Sequence, residues 1–130
     1  MKKKILITGA ILGVLGVVLG AFGAHGLKDL IPTDAQQTFE TGIRYQMYHA
    51  ILLLFIGQTS QLNYKSKKII FYSLVFGVLL FSGSIYGLAT NNLTSFDFKT
   101  IALITPVGGL LLITSWLIIL INFFKITQDK

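Results

Sequence analysis

Two histidines, one acid–base pair and a few hydroxyls stand in or beside the apolar stretches of this chain with the reactivity to do chemistry there. The segment TGIRYQMYHA, residues 41–50, follows Glu40 directly. On a helix Glu40 and Arg44 are one turn apart and can pair, while Gly42, Gln46 and His49 form a neighbouring stripe. His25 closes GAFGAHGL at 20–27, Ser82, Ser84 and Tyr86 lie in FSGSIYG at 81–87, and Thr105 opens TPVGG at 105–109. A histidine pair could ligate a metal or haem, but no additional donor set or haem-attachment motif accompanies it. Ser84, His49 and Glu40 could form an acyl-transfer relay, yet nothing in the spacing marks a nucleophile elbow. No catalytic residue, metal or cofactor is therefore expected. Histidines and glutamines on buried helix faces serve most often as hydrogen-bond partners between helices, and that is the plainer reading here.

The elements that must position these groups are membrane helices. The chain is 53% hydrophobic and 12% charged, with a mean hydropathy of +0.73, against about 25% charged residues in soluble domains. Cysteine is absent, which excludes disulfides, thiolate metal sites, iron–sulfur clusters and cysteine nucleophiles. A hydrocarbon core about 30 Å thick needs about 20 residues of helix. The 130 residues are thus expected to form one all-α membrane domain, a four-helix transmembrane bundle with helices over about 5–24, 34–60, 68–90 and 97–124. The second is the least apolar. Thr33 followed by Gln36 reads as a capping box that starts it, with Pro32 stopping an interfacial turn before it.

The formal charge of +6 would suggest nucleic acid in a soluble protein, but here its placement reports topology. With the N terminus inside, the cytoplasmic segments hold Lys2, Lys3, Lys4, Lys65, Lys67, Lys68, Lys125 and Lys130, and the outer ones Lys28, Arg44 and Lys99. This bias predicts both termini in the cytoplasm of a multi-pass cell-membrane protein and no nucleic-acid partner. Lys65, Lys67 and Lys68 are candidates for holding anionic lipid headgroups. The basic start and apolar run also resemble an export signal, but the run is long enough to span, and the first helix is expected to be retained.

Glycines recur in the first helix at Gly9, Gly13, Gly16, Gly20 and Gly23, spaced four, three, four and three. Each costs about 1 kcal/mol relative to alanine inside a helix, so the stripe predicts close helix packing, with this helix at the centre of the bundle or in a seam between copies. Pro106 should kink or open the fourth helix, and the glycines of FSGSIYG should loosen the third at the same depth. His25, Glu40, Arg44, Gln46, His49, Ser82, Ser84, Tyr86 and Thr105 all fall in the outward half, while the cytoplasmic half is almost wholly aliphatic. They are the candidate lining of an outward-facing polar pocket, since polar groups at membrane depth face the bundle interior.

GAFGAHGLK, TGIRYQMYHA, FSGSIYGL and ITPVGG together resemble the signature blocks of a family of small bacterial four-helix membrane proteins, the YgdD/YwdK type, classed as a domain of unknown function. Gly20, Phe22, Gly23, His25 and Gly26 match the first block; Gly42, Tyr45, Gln46, Tyr48, His49 and Ala50 match the second. The resemblance implies an integral membrane protein and carries no activity, cofactor or substrate. The resulting expectation is a non-enzymatic protein that organises the membrane or binds a lipid or small amphiphile, with membrane lipids and a second copy of itself as partners. The alternative is a small-solute or ion transporter or channel, though the first helix lacks the acidic residue of a proton-coupled small multidrug exporter, and the charge bias is stronger than a dual-topology fluoride channel would show. A membrane-embedded metal protein or enzyme is the third reading.

Overall fold

The computed structural model describes residues 1–127; Lys130, counted above among the cytoplasmic lysines, lies outside them. Four α-helices follow one another: α1 (Lys2–Ala24), α2 (Thr33–Gln58), α3 (Tyr64–Ala89) and α4 (Ile104–Phe124). α1, α3 and α4 are each long and apolar enough to cross a membrane. α2 is also long enough, at 26 residues or about 39 Å, but its first four turns are polar.

Local signals account for the ends. Asn63 caps α3, its side chain accepting the Ser66 N–H at 2.8 Å. After Ala24 the chain turns sharply: the Leu27 N–H reaches back to the Phe22 carbonyl, and Leu27 and Ile31 bury against Phe39 and Ala89. Pro32, with extended ψ of 161°, starts α2. The capping box does not form: the N-cap is Pro32, which has no side-chain acceptor, Asp34 accepts the Ala35 N–H instead, and Gln36 turns toward α1.

Two further expectations are corrected. α4 begins at Ile104 instead of near residue 97, because Phe98–Ile101 forms a short 3₁₀ turn capped by Asp97. Pro106 therefore stands in the first helical turn, where its missing N–H costs no hydrogen bond, and it opens nothing inside the span. α3 runs unbroken through FSGSIYG, so no common level of loosening exists.

The helices pack chiefly in chain order, α1 on α2, α2 on α3 and α3 on α4. α1 thus lies at the edge of the bundle, not at its centre. Only Gly9, Gly16 and Gly23, seven residues apart, are buried against α2; Gly13 has open space above it. The closest approach of a glycine to another helix's backbone is elsewhere. A Cβ at Gly108 of α4 would lie 2.8 Å from the Leu80 carbonyl carbon and 2.9 Å from the Gly77 carbonyl oxygen, so α3 and α4 touch backbone to backbone. Ile5, Leu53, Ile56, Ile70 and Leu74 are wholly buried and form an aliphatic core in the half that holds the N terminus and the α2–α3 turn.

Candidate functional site

α2 carries four of the nine singled-out residues, and hydrogen bonds disperse the set among three seams. Toward α1 and α3, the Tyr86 hydroxyl donates to Gln46 Oε1 at 2.6 Å and Gln46 Nε2 donates to the Leu12 carbonyl at 2.8 Å. Ser82 donates to the Gly42 carbonyl at 2.7 Å. Between α3 and α4 the hydroxyls of Ser84 and Thr105 meet at 2.5 Å. Toward α4, Trp116 Nε1–H donates to His49 Nε2 at 3.1 Å, and His49 Nδ1 lies 2.6 Å from the Tyr45 carbonyl. A carbonyl only accepts and an indole N–H only donates, so Nδ1 carries the proton and both ring nitrogens of this neutral tautomer are engaged.

The nine residues consequently do not share one cavity. His49 faces a cleft of about 310 Å³ with Tyr45, Phe81 and Trp116; Gln46, Ser82 and Tyr86 face a gap of about 270 Å³ between α1 and α3; Glu40 and Arg44 face a cleft of about 240 Å³ over Gly20 and Gly23. His25, at the C-cap of α1, is exposed and stands apart. Among the described residues no group of three potential metal ligands comes together. Below His49 lie Leu52, Leu53, Ile56, Ile70 and Ile119.

Glu40 and Arg44 do not pair as expected. Arg44 Nη2 donates to Thr41 Oγ1 at 3.2 Å, and among the described residues neither charged side chain is bonded to the other. Lys65, Lys67 and Lys68 occupy the first turns of α3. A separate lysine, Lys4, ties α1 to α3 there, donating to the Tyr72 hydroxyl at 2.8 Å and lying over the Phe71 and Tyr72 rings.

One further recess was not legible as a site. It is an apolar trough of about 490 Å³ along the α1/α2 seam, floored by Gly9 and Gly13 and walled by Val14, Val17, Ile51 and Leu54. The Glu40–Arg44 cleft lies about one turn farther along the same seam. Glu40, Arg44, Met47, Ile51 and Leu54 recur at four, three, four and three along one face of α2, and Gly9, Gly13, Val17, Gly20 and Ala24 line the facing strip of α1. The spacing is readable in the sequence, but which faces would meet is not. Two partners were also missed: Trp116, the single tryptophan, and Gln36, whose Nε2 donates to the terminal Gly23 carbonyl of α1 at 2.5 Å while its Oε1 is buried without a partner among the described residues.

The family described as "Protein of unknown function (DUF423)" matches residues 19–109. A UPF0382 membrane protein of Staphylococcus saprophyticus is 39% identical over 124 residues, covering 95% of this chain and 99% of its own. The UPF0382 membrane protein YwdK of Bacillus subtilis is 37% identical, covering 95% and 98%. The UPF0382 inner membrane protein YgdD of Escherichia coli is 34% identical, covering 98% and 94%. No solved structure matches.

Proposed function

The chain belongs to the DUF423 family, and for it we propose a non-enzymatic, four-span protein of the cell membrane that binds lipid along the α1/α2 seam, with both termini in the cytoplasm. The observation that carries this reading is the shape and lining of the trough. It is apolar along its length and open toward the surroundings of the bundle, and about one turn farther along the same seam a second cleft presents two opposite charges. That is the profile of an amphiphile. In a bilayer, lipid is the amphiphile always at hand.

Passage of a solute or ion is the weaker alternative. A path through the bundle would have to continue past His49, and the groups below it are aliphatic and closely packed. The seam polar groups are already bonded across helices, which suits a structural use of hydrogen bonds at membrane depth.

Gly13→Leu tests the lipid reading, because its side chain would grow into the trough, where a Cβ meets no atom within 4 Å. Gly83→Leu is its control, equally unobstructed but facing the gap between α1 and α3. Native mass spectrometry of protein released from lipid nanodiscs should find phospholipid retained by the native chain and by Gly83→Leu, and lost from Gly13→Leu. Equal retention by both variants would overturn the assignment.

A further inference from the structure

The geometry points to a phospholipid whose headgroup carries both a phosphate and a primary ammonium, with Arg44 on the phosphate, Glu40 on the ammonium and an acyl chain laid in the trough. This deepens the lipid-binding reading above and rests on it.

The first support is charge. Glu40 and Arg44 stand one turn apart on α2 and line the same cleft, yet among the described residues they do not bond to each other. The guanidinium has five N–H donors, and Arg44 uses one on Thr41. A planar fork of this kind suits phosphate. The Glu40 carboxylate only accepts, so its complement must bring N–H groups of its own.

The second support is order along the seam. Arg44 adjoins the apolar trough, and Glu40 lies about 6 Å farther from it along the helix axis. In an ethanolamine phospholipid the sequence from the tails outward is acyl chain, phosphate, ammonium. The two lists run in the same direction. On the α1 side the cleft is lined by Gly20, Gly23 and Ala24, so the only α1 side chain a headgroup meets there is one methyl group.

The third support is length. From Arg44 in the cleft to Leu54 at the far end of the trough the seam extends about 15 Å, which is half of a hydrocarbon core about 30 Å thick. An acyl chain of one leaflet fills that length. A choline headgroup could not satisfy Glu40, having no N–H, and a glycerol headgroup would bring no cation to it.

The test is native mass spectrometry of the full chain released from nanodiscs made of equal parts phosphatidylethanolamine, phosphatidylcholine and phosphatidylglycerol with matched chains. Retained ethanolamine lipid should exceed choline lipid by about fivefold, which is as much as one exposed ion pair supplies. Glu40→Gln should bring that ratio to about one without stripping lipid, and Arg44→Gln should lower retention of all three. Both residues are exposed, and unchanged Trp116 emission would verify folding of each variant. Equal retention by the native chain, preference for the glycerol lipid, or an ethanolamine preference that survives Glu40→Gln would each overturn the headgroup assignment. If Gly13→Leu strips lipid while the native chain shows no headgroup preference, only this inference falls. If Gly13→Leu keeps its lipid, the trough itself is not the site.

Discussion

At the scale of single residues, polar side chains here join helices. His49 was recognisable in the sequence as a costly residue at membrane depth, but its partner was not, because Trp116 lies 67 positions away on a helix whose rotation only packing decides. Trp116→Phe keeps an aromatic ring on α4 and removes the N–H that His49 Nε2 accepts. Interhelical hydrogen bonds in membranes average about 0.6 kcal/mol and reach about 1.7; the loss of stability should fall in that range, read from unfolding in mixed micelles. A loss well above it would mean that the ring, and not the bond, holds α4 to α2. Gln46 makes the same point about legibility. Its place on a stripe with Gly42 and His49 could be read from spacing, whereas its two bonds, to a carbonyl of α1 and a hydroxyl of α3, depend on three helices meeting.

At the scale of elements, the glycines divide by what opposes them. A methyl group on Gly13 meets nothing; on Gly16 it meets the flexible end of Met47; on Gly108 it meets the backbone of α3. Alanine at Gly13 should be neutral or stabilise by up to about 1 kcal/mol, the helix-propensity difference. Alanine at Gly16 should be tolerated once Met47 turns aside. Alanine at Gly108 should destabilise most, by about 1–3 kcal/mol as overpacking does, since a main chain cannot step back. Unfolding of the three variants in micelles checks the order, and a reversal of Gly13 and Gly108 would contradict the packing described. The stripe on the first helix was plain in the sequence, but five glycines at helical spacing cannot say which of them face a neighbour. Pro106 misled for a related reason: a proline breaks a helix only if turns precede it, and the helix start at Ile104 is set by the Asp97-capped turn upstream.

At the scale of the whole molecule, α1, α3 and α4 were legible as long apolar helices because bilayer thickness imposes that length. The lysine distribution has a physical signature in the structure too. Lys65 and Lys67 sit in the first turns of α3, which has no acidic residue there, although positive charge at a helix N-terminus is unfavourable by about 0.3–1 kcal/mol. Such placement makes sense if those charges serve orientation. The natural chain has no cysteine, so single cysteines at the exposed Ser60 and Ser95 report topology cleanly. An impermeant maleimide should label Ser95→Cys in intact cells and Ser60→Cys only after permeabilisation; the opposite pattern would invert the orientation. The two glutamines that reach from α2 to carbonyls of α1, Gln36 to Gly23 and Gln46 to Leu12, bear on how the protein is made. α2 carries the charges and amides that a translocon is slow to release into lipid, and α1, synthesised just before it, offers the acceptors for two of them. An α2 separated from α1 would carry those two amides without these acceptors, so α2 is expected to enter lipid more readily beside the first helix than alone.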